Sequence, residues 1–126
     1  EADYLTSETL WERLRQHDEL PERVAVIGGG PIGVELAQSF ARLGSQVALL
    51  EAGPRLLPKD DAEASALIEQ VLREEGVDVR TGAEVTRVAE GALHFGGHAP
   101  PLGYDALIVA TGRKPRLAGY GLEELG

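Results

Sequence analysis

The chain has 126 residues, enough for one domain with a hydrophobic core. Its 12 Lys and Arg against 21 Asp and Glu give a formal net charge of -9. This balance disfavours nucleic acid bound through its phosphates and a polybasic membrane attachment, so neither partner is predicted. Because the chain has no Cys, disulfides, thiolate metal ligands and thiol redox chemistry are excluded within these residues.

The apolar runs are short. Residues 24–28 and 106–110 are examples, and both fall well below the roughly 20 residues that cross a bilayer. No secretory signal opens the chain, so we expect a cytoplasmic protein. The sequence contains no Met, and we expect it to be a piece of a longer protein.

Residues 1–22 are predicted to be a lead-in to a domain formed by residues 23–126. Within the lead-in, Leu10, Trp11 and Leu14 have the spacing of an apolar stripe on a short helix. A single amphipathic turn provides no site geometry, so this segment is predicted to be a linker.

Residues 24–27 form a continuous apolar run, which is typical of a parallel strand covered on both faces. Pro31 suits the first turn of a following helix, and Gly44 is predicted to end that helix. Residues 46–50 then form a second strand with Glu51 at its carboxyl end. The apolar stripe of the helix is predicted to comprise Ile32, Leu36, Phe40 and Leu43.

The remaining chain continues the alternation of helix and strand. Asp60 and Glu63 have the spacing of a capping box for a helix from residue 61 to about residue 75. A strand at 77–79 completes a β-α-β-α-β series, and the buried stripe of the helix is predicted to be Leu67, Ile68, Val71 and Leu72.

The sequence then changes to short runs in which apolar and polar residues alternate. These runs predict an antiparallel meander over 84–89, 92–95 and 99–102. A continuous apolar strand follows at 105–110. The predicted fold is therefore α/β and Rossmann-like, with three layers: a central parallel sheet, its helices, and a three-stranded antiparallel β-meander.

The glycine-rich turn after the first strand has the GxGxxG spacing of a dinucleotide site. Gly28 permits a tight turn, Gly30 lets the backbone approach a pyrophosphate, and Gly33 lets helix and strand pack closely. The pyrophosphate is expected at the helix N-terminus, where the amide groups and the dipole favour negative charge. The predicted contacts at this end are Gly28, Gly29, Gly30, Pro31, Ile32 and Gly33.

Glu51 follows Gly28 by 23 positions, close to the interval of about 20 residues expected for a ribose-binding acid. Its carboxylate can accept hydrogen bonds from the two adenosine ribose hydroxyls, whereas a 2′-phosphate would meet like charge. This favours NAD(H) over NADP(H). Arg55 is a nearby cation, so NADP(H) remains an alternative cofactor.

Four stretches occur in the order and spacing of one enzyme family: LPERVAVIGGGPIGVELA, LLEAGPRLLPKDD, EEGVDV followed by AEVTRV, and DALIVATGRKP. Together they cover most of the chain. With them the chain resembles the NAD-binding domain of the pyridine nucleotide-disulphide oxidoreductases, above all dihydrolipoamide dehydrogenase and mercuric reductase-like flavoproteins.

The resemblance implies roles for further residues. The residue that matches Glu35 lies near the nicotinamide and can bond its carboxamide, while the family's flavin-binding domain usually lacks it. The residue that matches Val85 contacts the adenine side, and the one that matches Gly112 lines the nicotinamide side. NADP-using relatives tend to carry arginines where this chain has Ala52 and Pro58. From the sequence alone, Glu35 is equally a first-turn charge that complements the helix dipole.

The resemblance also implies what lies outside this chain: an FAD domain with a CxxxxC disulfide, and a dimerisation domain that supplies a His-Glu pair in a homodimer. We therefore expect these residues to bind NAD(H) and to catalyse nothing alone, with no catalytic and no metal-binding residue among them. Two alternatives remain open. One is a free-standing NAD-sensing regulatory domain, and the other is the same domain from an NADH oxidase, coenzyme A-disulfide reductase or nitrite reductase component.

Overall fold

A computed structural model describes residues 4–6, 8–16 and 18–111. The predicted segment beyond residue 115 lies outside this range. In chain order the elements are α1 (Leu10–Gln16), β1 (Arg23–Ile27), α2 (Pro31–Leu43), β2 (Gln46–Glu51), α3 (Ala62–Glu74), β3 (Asp78–Thr81), β4 (Val85–Ala89), β5 (Ala92–Phe95), β6 (Leu102–Gly103) and β7 (Ala106–Val109).

Two separate sheets account for the seven strands. The first has the order β3-β2-β1-β7, and all of its neighbouring strands are parallel. The second has the order β4-β5-β6 and is antiparallel. The predicted α/β class, with a parallel sheet, helices and a three-stranded meander, is thus confirmed, although β6 has only two residues and begins later than expected.

The parallel sheet separates two hydrophobic clusters. Successive side chains of a strand point to opposite faces, and Val24 and Val26 belong to one cluster while Ala25 and Ile27 belong to the other. The first cluster includes residues of α2 and α3, and the second includes residues of β4 and β5. Because both faces are covered, β1, β2 and β7 are continuous apolar runs rather than alternating ones.

The predicted stripe of α2 was wrong at its two ends. Ile32 is 50% exposed and Leu43 is 68% exposed, whereas the buried residues of the helix are Gly33, Ala37 and Phe40. At 100° per residue, Ile32 and Leu43 lie roughly 80–100° around the helix from Gly33. Small residues on the contact face bring the helix axis close to the sheet and leave the larger flanking side chains outside.

Helix α3 begins one residue later than predicted. Asp61, not Asp60, is the N-cap, and its side chain accepts a hydrogen bond of 2.9 Å from the amide of Ala64. Its buried residues are Ser65 and Leu72, which are seven positions apart and therefore share a face. Leu67 is exposed, contrary to prediction, because it lies on the opposite side of the helix from Ser65.

The segment before β1 packs on the domain. Leu5 pairs with Ile108 of β7 in a parallel bridge, and Leu10 belongs to the first hydrophobic cluster. Leu14 packs against the same cluster, but Trp11 is exposed, so its predicted place in the stripe was wrong. The boundary at residues 22 and 23 stays a prediction. None of the described helices is long and apolar enough to span a membrane.

The starts of β1 and β7 are joined by a pair of side chains far apart in sequence. The guanidinium of Arg23 donates to both carboxylate oxygens of Asp105, at 3.2 and 3.1 Å, and the Arg23 amide donates to the same side chain at 2.9 Å. The hydrogen bonds from the Arg23 side chain are the main reason that the pKa of Asp105 lies below its usual value.

We expect Asp105→Asn to lower the free energy of unfolding at neutral pH, in a pH-dependent manner. A carboxylate whose pKa is lowered by folding stabilises the fold above its unfolded pKa of about 3.9, and this contribution is lost as the pH falls through the lower folded pKa. Urea unfolding of wild type and variant should therefore differ at pH 7 and converge below about pH 4. Asp18→Asn, which removes an exposed carboxylate with no bonded partner among the described residues, is the control. A gap that does not change with pH would contradict this account.

Candidate dinucleotide site

The predicted site residues gather at one edge of the parallel sheet. Gly28 directly follows β1, Glu51 is the last residue of β2, and Ala110 follows β7. Since these strands are parallel, their carboxyl ends share an edge. The chain runs outward from β1 to β2 and β3 and returns on the other side of β1, so the glycine-rich turn lies at a topological switch point. Crevices of this kind bind ligands in open α/β sheets.

Gly28 and Gly33 are required by close backbone contacts. Gly28 has a φ of 117°, and a Cβ there would lie 2.5 Å from the carbonyl oxygen of Ala110. A Cβ at Gly33 would overlap the carbonyl oxygen of Gly28. These contacts fix the crossing of α2 against the end of β1 and so set where the N-terminus of α2 points.

Gly30 differs from these glycines because it faces open space. It is the N-cap of α2, its φ is -77°, and a Cβ would meet nothing within 4 Å. Within the described residues, no hydrogen bond is formed by the amides of Gly30, Ile32 and Gly33, and Pro31 has no N–H to satisfy. The turn therefore presents free donors beside the positive end of the helix dipole.

Glu51 lies beside this turn and is half-buried. Its Oε1 accepts a hydrogen bond of 3.0 Å from the amide of Gly29, and its Oε2 accepts one of 2.8 Å from the amide of Gly53. Each carboxylate oxygen can accept a further hydrogen bond. The side chain thus holds the glycine-rich turn and retains the capacity to bind hydroxyl groups.

Arg55 is bound within its own loop. Its guanidinium donates to the carbonyl oxygen of Asp60 at 2.8 Å and to that of Pro58 at 3.3 Å. These two bonds to backbone oxygens hold the cation against the loop. Ala52 and Pro58 are both exposed, so longer side chains at either position would have room.

Gly29 has a structural role that the sequence interpretation missed. A Cβ there would lie 2.7 Å from Cδ2 of Leu56 and 3.0 Å from Cβ of Glu51. Its carbonyl oxygen accepts a hydrogen bond of 2.8 Å from the amide of Leu57. The signal available in the sequence was the Leu-Leu pair at 56 and 57, an apolar interruption in a proline-bearing loop.

The roles of Glu35, Val85 and Gly112 come only from the family resemblance. Glu35 is exposed on α2, a helix described throughout, and no acidic residue occupies its first turn, so the dipole interpretation of Glu35 was wrong. Val85 has no exposed surface and lies in the second hydrophobic cluster. Gly112 is outside the described residues. In the part of the chain that the structure describes, no group of three or more His, Asp or Glu could hold a metal ion.

The model of the pyridine nucleotide-disulphide oxidoreductase family matches residues 3–126. The chain belongs to this family. Its members are flavin- and pyridine nucleotide-dependent oxidoreductases, which confirms the resemblance found in the sequence.

Two relatives illustrate the degree of similarity. The dihydrolipoyl dehydrogenase of Thermus scotoductus is 40% identical over 130 residues, which cover 94% of this chain and 28% of that protein. The mercuric reductase of Streptomyces lividans is 41% identical over 137 residues, which cover 100% of this chain and 27% of that protein. The chain therefore spans about a quarter of the length of the relatives it matches.

A solved relative carries a bound nucleotide. The water-forming NADH oxidase from Lactobacillus brevis, bound to NADH, is 32% identical with a TM-score of 0.68, over 83% of this chain and 23% of that one. An engineered form of the same oxidase, bound to NADPH, matches with a TM-score of 0.69 and 29% identity, over 80% of this chain and 23% of that one.

We expect substitutions of adjacent glycines in the turn to have unequal effects on the free energy of unfolding. Gly29→Ala should lower the free energy of unfolding by about 1–3 kcal/mol, because the added methyl group overpacks the contact with Leu56 and Glu51. Gly30→Ala should change it by less than about 1 kcal/mol, because the φ is ordinary and the space is open. Urea unfolding of both variants measures the difference. Equal losses of stability would contradict the geometry of the turn.

Proposed function

We propose that this chain is the NAD(H)-binding domain of an FAD-dependent pyridine nucleotide-disulphide oxidoreductase. In this role it holds the nicotinamide where a hydride can pass between NAD(H) and the flavin. The observation that carries the proposal is the meeting, at one sheet edge, of an open glycine-rich turn and the Glu51 carboxylate.

The turn fits a pyrophosphate. The unbonded amides around Gly30 can donate to phosphate oxygens, and the helix dipole adds a favourable field. Because these donors are fixed by the crossing of α2 and β1, little reorganisation is needed on binding. The local field outweighs the chain's overall negative charge, which is spread over a solvated surface.

Glu51 fits an adenosine ribose. Its side chain is oriented by the amides of Gly29 and Gly53, and the remaining lone pairs can accept from the 2′- and 3′-hydroxyls. A charged acceptor of this kind contributes about 1.5–3 kcal/mol. A 2′-phosphate at the same place would bring a second negative charge close to the carboxylate.

The engineered oxidase supports NAD over NADP. Its five substitutions include Asp to Ala, the next residue from Ala to Arg, and a Pro seven positions after that Asp to Arg. The same spacing separates Glu51, Ala52 and Pro58 in this chain. Arg55 supplies no substitute cation in the present geometry, because its guanidinium is bonded to loop carbonyls.

The catalytic parts are proposed to lie in the remainder of the parent protein. Bound NADH would supply a hydride to the flavin of the parent protein, and the residues of this domain would bind and orient the nucleotide. Glu35 and Gly112 are proposed to lie at the nicotinamide end, on the basis of the family resemblance, and the parent is proposed to be a cytoplasmic homodimer.

The similarity to a water-forming NADH oxidase makes an oxidase a second candidate for the parent. Finding an FAD motif and a CxxxxC motif in the full-length chain would support the proposal. A full-length chain without them would favour an NAD-sensing domain.

We expect this chain to bind NADH more tightly than NADPH, and Glu51→Ala to narrow the difference. Loss of the acceptor should raise the Kd for NADH roughly ten- to a hundredfold, while NADPH gains from the removal of like charge. Titrations of both nucleotides against wild type and variant, followed by NADH fluorescence, test this. Tighter binding of NADPH by the wild type would overturn the cofactor assignment.

We expect the triple variant Glu51→Ala, Ala52→Arg, Pro58→Arg to prefer NADPH, because both new arginines lie on the exposed loop that follows β2. The matched control is Glu51→Ala, Ala64→Arg, Ala66→Arg, which has the same net charge but carries its arginines at exposed positions of α3. If both triples gain equally in NADPH affinity, general charge rather than position is responsible.

A further inference from the structure

Ser65 is a buried polar residue on α3, and its side chain bonds outside the helix. It is 1% exposed, and its Oγ donates a hydrogen bond of 2.5 Å to the carbonyl oxygen of Leu56, nine residues earlier. A buried hydroxyl is unfavourable without a partner. Ala would suit a helix interior better than Ser, so packing within α3 does not explain this residue.

Leu56 and Leu57 connect Ser65 to the glycine-rich turn. The Leu56 side chain is fully buried, and its Cδ2 would lie 2.7 Å from a Cβ at Gly29. The amide of Leu57 donates to the carbonyl oxygen of Gly29 at 2.8 Å. Leu57 has a φ of 48°, a conformation that non-glycine residues rarely adopt, so this part of the loop is held by its surroundings.

Gly29 is thereby held on both sides of its backbone. Its amide donates to Glu51 and its carbonyl accepts from Leu57. Gly30 follows directly and carries the first of the free amides that the proposed function assigns to the pyrophosphate. The contacts therefore run without a break from α3, through the loop, to the binding turn.

We propose that Ser65 is a positioning residue of the dinucleotide site, which acts through Leu56 and Leu57 to fix the glycine-rich turn. The proposal rests on the proposed function and extends it to a residue that contacts no ligand. Removing the hydroxyl leaves the Leu56 carbonyl unbonded and frees the loop to move away from Gly29. The free-energy cost of ordering the turn then arises when the nucleotide binds rather than when the chain folds.

The test compares Ser65→Ala and Ser65→Cys with wild type at a temperature where each chain is folded. Ser65→Cys keeps a donor on a slightly larger side chain, although the thiol is a weaker donor than the hydroxyl. We expect the Kd for NADH to rise about fivefold in Ser65→Ala and by less in Ser65→Cys. Amide hydrogen exchange at Leu57 should accelerate relative to exchange at Val26 in the sheet.

Val88→Ala is the matched control, because it removes buried volume from the second hydrophobic cluster, to which Leu56 does not belong. It should lower stability and leave both the Kd and the relative exchange of Leu57 unchanged. An unchanged Kd in Ser65→Ala, or an equal rise in Val88→Ala, would overturn the positioning role alone. A wild-type chain that does not bind NADH would overturn the proposed function and the positioning role with it.

Discussion

The contact between the start of α2 and the end of β1 is the constraint on which the site depends. Two glycines, Gly28 and Gly33, let the helix approach until a side chain at either position would overlap backbone. Because the approach is set by main-chain atoms, it depends little on side-chain rotamers. The free amides of the turn remain open, while the loop after β2 packs against Gly29.

Glu51 connects the glycine-rich turn with the position proposed for the ribose. Its carboxylate bonds the amides of Gly29 and Gly53, which lie on either side of it, and it remains available to hydroxyl groups. The proposed recognition of a ribose and the support of the glycine-rich turn therefore involve one side chain. Removing this acid is therefore expected to affect the glycine-rich turn as well as the choice of cofactor.

The sequence predicted those features that follow from local rules. Continuous apolar runs identified β1, β2 and β7. Pro31 and Gly44 marked the ends of α2, and the glycines from Gly28 to Gly33 marked the turn. The errors concern the faces of helices. Ile32, Leu43 and Leu67 were assigned to buried stripes because they are apolar, but small residues decide how α2 packs, and Ser65 takes a place on the buried face of α3.

The support of the turn by Leu56 and Ser65 could not be predicted, because it depends on tertiary contacts. Gly29 has no unusual φ and sits at the variable position of the motif, so no local rule singles it out. Only the folded chain shows that Leu56 fills the space beside it.

The position of β7 has a consequence for how the protein is made. Gly28 packs against the backbone at Ala110, and Arg23 bonds Asp105 across a sequence separation of 82 residues. During synthesis the glycine-rich turn is made before the whole meander, whereas its packing partner is made after it. A nascent chain that ends before β7 therefore lacks the backbone that packs against Gly28, and the contacts of the turn are completed only after β7 has been made.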